Sequence, residues 1–420
     1  MTPGQAQDAA DTMLVAPTLA EIEAAASRVA EAIDRTPMQT SRSLAEVLGS
    51  PVYLKCENLQ RTGSYKIRGA YHRLSKLSDE ERERGVVAAS AGNHAQGVAF
   101  AARELGIRAT IFMPVGAALP KFQATRGYGA DVQLVGDTFD DTNAAAIAFA
   151  ERTGAVFIPP FDHPDVVAGQ ATLGLEIWEE ASAPDTIIVP IGGGGLAAGV
   201  ASAVKQRAAV EGRLVRVVGV QAANAAAFPP SLAAGEPLLV PITATIADGI
   251  AVARPGELTF AIIRDFVDEV VTVTDDEIAR ALVVLLERTK LVVEPAGAVG
   301  VAAILSGAVT DSGRTAVILS GGNIDPLVME RVIGRGLVAS QRYLKVNIPL
   351  SDRPGQLARI SQIIAAANAN VVEVRYSRHN LELGISEVEI EIHMEARGAE
   401  HAELVLARLR DAGYRPRVVI

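Results

Sequence analysis

The chain has one cysteine, Cys56, in 420 residues. A single thiol cannot build a disulfide framework, so nothing points to an oxidising compartment. No basic partner that would activate Cys56 is evident, and a small buried apolar role is expected for it. Aromatic residues make up only 4% of the chain, with a single tryptophan. No apolar run reaches the roughly 18 residues that a membrane helix requires. Basic residues are in deficit, 39 against 49 acidic, for a net charge of −10. A nucleic-acid partner would favour a basic stripe, so none is expected, and the charge favours solubility and little more. The first 17 residues carry Asp8 and Asp11 and no arginine. That fits neither a signal nor a transit peptide, and the cytoplasm is the expected location.

Alanine, valine, leucine and glycine dominate, as in α/β proteins without disorder. The length suggests roughly two to three domains with large cores. Thr18 followed by Glu21 forms a capping-box pattern that predicts a helix through about Asp34, stopped by Thr36-Pro37. Short β-branched runs at 52–55, 86–89, 109–112, 132–135, 156–158, 187–189, 215–220, 270–273 and 316–319 then alternate with alanine-rich helical stretches. Such alternation predicts an α/β fold of parallel sheets with helices on both faces. After Gly336 the pattern changes. Strands are expected at 343–349, 371–376, 385–393 and 416–420, with helices at 354–368 and 399–412. That order, βαββαβ, reads as a separate ferredoxin-like module.

Four segments carry chemistry. The first runs from Lys55 through Thr62-Gly63-Ser64-Tyr65-Lys66 to Ala70 and places Lys66 where a helix would start, after a strand and a polar turn. A lysine so held can bond an aldehyde cofactor. The second is Gly192-Gly193-Gly194-Gly195-Leu196, between a strand and a helix. Its amides can converge on a phosphate monoester, although a tight strand–helix turn would use the same glycines. The spacing is neither a dinucleotide fingerprint nor a P-loop. The third, Ser90-Ala91-Gly92-Asn93-His94, also lies between strand and helix, and its amides suit a carboxylate. Asn93 offers a neutral donor, and His94 reads as structural. The fourth, Ser320-Gly321-Gly322-Asn323, ends a strand, where ligands gather in parallel sheets. Ser320 could bond a ring nitrogen.

Together with Thr36-Pro37, Glu57-Asn58-Leu59-Gln60, Ala168-Gly169-Gln170, Ala247-Asp248-Gly249 and Glu294-Pro295, these segments resemble the threonine/serine dehydratases. These belong to the tryptophan-synthase-β group of pyridoxal-phosphate enzymes, fold type II. The resemblance implies a catalytic domain over 1–336 made of two parallel-sheet α/β subdomains, the smaller at about 75–160 inserted in the larger. It implies pyridoxal 5'-phosphate as cofactor and Lys66 as its covalent partner and the catalytic base. Gly192, Gly193, Gly194, Gly195 and Leu196 match the phosphate loop, and Asn93 the partner of the ring hydroxyl. Tyr65 matches the ring-flanking residue, Ser320 the partner of the pyridine nitrogen, and Gly249 and Glu294 the pocket lining. Ser90, Ala91, Gly92, Asn93 and His94 match the loop that holds the substrate carboxylate.

The implied reaction is deamination of L-threonine to 2-oxobutanoate and ammonia, with L-serine as a second substrate. One methyl group discriminates by only about 10- to 200-fold. The related serine racemases carry a second acid/base serine at the position of Ala91, so elimination is favoured over racemisation here. Relatives that bind a divalent metal use a Glu and an Asp where this chain has Gln221 and Ala227, so no divalent site is expected. The module at 340–420 resembles an ACT domain. Asp352, Arg353, Pro354, Gly355 and Leu357 match its effector-binding loop, where an amino acid, isoleucine or valine, would exert feedback. Asp352 could equally cap the following helix and do nothing else. A homodimer or homotetramer is implied. The rival readings are a serine racemase or another hydroxy-amino-acid dehydratase of the same fold and, from a different class, a non-catalytic amino-acid sensor.

Overall fold

The computed structural model describes residues 15–377 and 387–419. Residues 1–14, most of the N-terminal stretch that reads as neither a signal nor a transit peptide, 385–386 of the expected third strand of the C-terminal module, and Ile420 lie outside the described residues. The chain divides into two compact units at Pro326/Leu327.

Two sheets build the first unit. The larger has six strands in the order Met38–Thr40, Val52–Lys55, Thr315–Ile318, Thr186–Pro190, Arg216–Ala222, Glu269–Val273. Met38–Thr40 runs antiparallel to its neighbour, and the remaining pairs are parallel. The central strands Thr186–Pro190 and Thr315–Ile318 are buried at every residue, as strands covered on both faces must be. The smaller sheet is all parallel, in the order Asp131–Leu134, Ala109–Met113, Val86–Ala89, Val156–Phe157. Nine expected strands are present within a residue or two, while Met38–Thr40 was not anticipated. It is three residues long behind Pro37, too short to show a period.

Thr18 and Glu21 form the expected reciprocal cap, but the helix spans Leu19–Val29 and unwinds into a turn, with Ala32 and Ile33 both donating to the Val29 carbonyl. Around Lys66 the packing is main chain on main chain. A Cβ on Gly97 would lie 3.2 Å from the Lys66 carbonyl carbon, and one on Gly169 would lie 2.6 Å from the Gly69 Cα. Helix Lys66–Ser75 is thus wedged between Asn93–Glu104 and Pro164–Glu180 by glycines that leave no room for a side chain.

The second unit contains Tyr343–Ser351, Gln356–Ala366, Asn370–Ser377, Glu387–Glu395, Ala399–Asp411 and Arg417–Val418, a βαββαβ order. Its antiparallel sheet runs Asn370–Ser377, Glu387–Glu395, Tyr343–Ser351, Arg417–Val418, the ferredoxin-like arrangement. Leu344, Val346, Ile348 and Leu350 alternate into a core completed by Ile390, Ile392, Ile360 and Val405. Gly355, with φ 90°, starts helix Gln356–Ala366, and no side chain caps it. The N-cap position is thus a left-handed glycine and not Asp352, which lies three residues earlier.

Candidate active site

The four motifs follow the carboxyl ends of four parallel strands, where side chains from separate loops converge. Two of the loops are stitched together by backbone. Tyr65 N–H donates to the Ser320 carbonyl (3.1 Å), and Gly322 N–H to the Gly63 carbonyl (2.8 Å).

Lys66 begins its helix half-buried, and its Nζ donates to the Pro160 carbonyl at 2.8 Å. Burial lowers its pKa to about 8, against the opposing pull of Glu294. Its Nζ lies 5.4 Å from the centre of the Tyr65 ring. Burial and the Glu294 charge push the Tyr65 phenol upward, so the ring is uncharged. Ser64, two residues before Lys66, keeps a buried hydroxyl with no partner among the described residues.

Glu294 is 8% exposed, and its Oε1 accepts from Asn93 Nδ2 at 2.7 Å. Desolvation, with Asp248 next, raises its pKa to about 7, while the Asn93 bond, Lys121 and Lys66 oppose the shift. A Cβ on Gly321 would fall 2.3 Å from Glu294 Oε1, and one on Gly249 would fall 3.8 Å from it. Lys66, Tyr65, Asn93, Gly249, Glu294 and Ser320 are therefore one neighbourhood.

At the loop of Gly192 to Gly195, Gly194 takes φ 101° and helix Gly195–Val210 starts buried, without a side-chain cap. The helices starting at Leu19, Asp79, Phe139 and Asp275 each carry a reciprocal box instead. The first N–H groups of a helix need acceptors, and here an anion would supply them. The glycines also serve packing. A Cβ on Gly193 would sit 2.4 Å from the Phe161 ring, and Leu196 belongs to the core.

In the third motif, Gly92 N–H is taken by Ser90 Oγ (3.1 Å), and helix Asn93–Glu104 has no side-chain cap. His94 is buried, with Nε2 against the Ile158 carbonyl at 2.9 Å. Burial and then Lys66 lower its pKa to about 3, so it is neutral and donates that hydrogen bond. Gln221 is fully buried. Its Oε1 accepts from Phe228 N–H at 2.9 Å and its amide faces the carbonyls of Ile191 and Ala225. Among the described residues no cluster of His, Cys, Asp and Glu could hold a metal ion, and no helix is long and apolar enough to cross a membrane. Asp352, Arg353, Pro354, Gly355 and Leu357 lie in the second unit, between its first strand and first helix.

Sequence reasoning missed three contributors: the Pro160 carbonyl, the Phe161 ring and Asn323. The first two occupy an irregular segment after Phe157 that shows no periodicity. Asn323 lay inside the fourth motif, but its role depends on residues 230 and 261 positions away.

A desolvated lysine without a carboxylate bonded to it and a buried, uncapped helix start at a glycine loop suit a phosphorylated aldehyde. Comparison with known proteins agrees. Residues 29–321 match the family described as pyridoxal-phosphate dependent enzyme. The L-threonine ammonia-lyase of Geobacter sulfurreducens is 50% identical over 394 residues, covering 94% of this chain and 97% of that protein. The maize serine racemase structure superposes with a TM-score of 0.71 at 36% identity, covering 77% of this chain and 99% of that one. Threonine deaminase isoform 2 of Solanum lycopersicum, in its processed form, has the same TM-score, 0.71, and 36% identity, over 76% of this chain and 93% of that one. The chain belongs to the pyridoxal-phosphate dependent enzymes, of fold type II, and pyridoxal 5'-phosphate is its cofactor.

Proposed function

We propose that this protein is a threonine ammonia-lyase that converts L-threonine to 2-oxobutanoate and ammonia, and L-serine more weakly to pyruvate. The observation that carries the reading is 50% identity to an L-threonine ammonia-lyase along nearly the whole of both chains. The bound cofactor supplies an electron-withdrawing ring that makes the proton on the substrate α-carbon removable. The chain supplies the rest. Lys66, lowered to about 8, is the base that takes that proton. The uncapped amides at the start of helix Asn93–Glu104 hold the substrate carboxylate, and the start of helix Gly195–Val210 holds the cofactor phosphate. Asn93 would donate to the ring hydroxyl, Ser320 would meet the ring nitrogen, and Tyr65 would flank the ring. The β-hydroxyl leaves as water, and water returns as the nitrogen departs, so the net products are one oxo acid and one ammonia.

Ala91 supports elimination over racemisation, because a methyl group cannot deliver a proton to the opposite face. The ferredoxin-like unit supports a regulatory ACT-type role. There Ser351 to Leu357 would receive isoleucine or valine, within a cytoplasmic dimer or tetramer whose product feeds isoleucine synthesis.

The test incubates the purified protein with L-threonine, with and without isoleucine and valine, and separately with L-serine, and follows oxo-acid release and the chirality of the recovered serine. Expected are threonine-dependent oxo acid, no D-serine, and loss of both turnover and cofactor absorbance in Lys66→Ala. D-serine as the main product would favour a racemase. A protein that binds isoleucine but forms no oxo acid would favour a sensor.

A further inference from the structure

A chain of four groups sets the direction in which Asn93 faces its site. The Thr62 carbonyl can only accept a hydrogen bond. The side-chain atom of Asn323 that meets it, at 2.7 Å, is therefore Nδ2. The same nitrogen lies 2.8 Å from Asn93, and a nitrogen with hydrogens needs an acceptor there, which fixes that atom as Oδ1. Asn93 Nδ2 is then left to face Glu294 Oε1, at 2.7 Å. The acceptor end of Asn93 is already engaged, and what remains is one N–H of its amide. Glu294 accepts from Asn93 while ionised, but with its pKa raised to about 7 it can donate when protonated, so the Thr62 carbonyl is the one end of the chain whose role cannot reverse.

The approach of Asn323 has its own requirement. A Cβ on Gly63 would come within 2.3 Å of Asn323 Oδ1, and Gly63 takes φ 70°. Gly63 and Asn323 thus belong together, and both lie on the loops that carry Lys66 and Ser320.

We propose that Asn323 is a positioning residue that locks Asn93 as a hydrogen-bond donor toward the cofactor's ring oxygen. The inference rests on the cofactor and not on which amino acid is the substrate, so its test needs no turnover. In Asn323→Asp the carboxylate cannot donate, and Asn93 turns its Nδ2 toward the new acceptor and its Oδ1 toward the cofactor and Glu294, which can meet that oxygen in its protonated form. In Asn323→Ala the lock is removed without a new charge.

The experiment titrates the visible absorbance of the holoenzyme against pH without substrate, and measures cofactor affinity by reconstitution of the apoprotein. Circular dichroism verifies the fold. A donor on the ring oxygen reduces the negative charge beside the cofactor's nitrogen, so its loss raises the midpoint of the absorbance transition. A rise of about one pH unit is expected for Asn323→Asp, the size of a charge-assisted hydrogen bond, with a smaller rise for Asn323→Ala. Cofactor affinity falls by about tenfold in the first. A merely structural asparagine would lower the melting temperature and leave the midpoint in place. A parental midpoint in both folded variants overturns the proposal, whatever the affinity.

Discussion

Replacing Arg68 should be among the most damaging single changes in the first unit. Its guanidinium is fully buried and makes a two-pronged contact with the equally buried Glu57, Nε to Oε2 and NH2 to Oε1, both at 2.8 Å. It also reaches Glu176 Oε1 at 2.7 Å and Oε2 at 3.0 Å. In Arg68→Met, Glu176 keeps the Lys55 ammonium at 2.7 Å, but among the described residues Glu57 keeps only the Thr36 hydroxyl at 2.5 Å. A carboxylate stranded without solvent or counter-charge costs about 3–5 kcal/mol. The magnitude comes from the stranded charge and not from the lost attraction, and this makes a second variant informative. Arg68→Met combined with Glu57→Gln removes both charges, while the new amide oxygen still accepts from Thr36. The double variant should recover at least about 1.5 kcal/mol over the single one. Urea unfolding followed by tryptophan fluorescence reads both. The sole tryptophan, Trp178, is 4% exposed on helix Pro164–Glu180, which also carries Glu176. A double variant as unstable as Arg68→Met, or more so, refutes the reasoning.

Gly193→Ala should lower stability by about 1–3 kcal/mol and weaken cofactor binding by at least about tenfold, because the Phe161 ring 2.4 Å from the new methyl must move. Gly127→Ala, whose Cβ meets nothing within 4 Å, should leave the melting temperature unchanged or raise it, and equal losses in both variants would contradict the packing account. For His94, the folded pKa of about 3 lies below the ordinary 6.5, so only the unfolded chain takes up this proton in between. Stability is complete above 6.5 and falls as pH drops toward 3. From pH 6.5 to about 5 this one site accounts for about 1.5 kcal/mol. His94→Gln, whose amide can still donate to Ile158, should flatten that slope in urea titrations, and an unchanged slope would disprove the assignment.

Much of this was written locally. Thr18 with Glu21 marked a helix start, and the run through Ser64-Tyr65-Lys66 marked the lysine's loop, because caps and glycine turns depend on neighbours in the chain. Strand positions were legible from buried β-branched runs. The strand order was not, because pairing Thr315–Ile318 with Val52–Lys55 joins segments more than 250 residues apart. The same limit explains the site. Lys66 and Asn93 announce themselves by type and setting, whereas Pro160 contributes only a carbonyl, which every residue has. The start of helix Gln356–Ala366 misled for a related reason. Asp352 looks like the N-cap in sequence, but the N-cap position is the left-handed Gly355, three residues later.

The glycines that wedge the lysine's helix leave it with no slack. Side chains between helices can change rotamer and absorb a displacement, but bare backbone resting on backbone at Gly97 and Gly169 cannot. A shift of either flanking helix is therefore passed to Lys66 through its own main chain and is not taken up by rotamers.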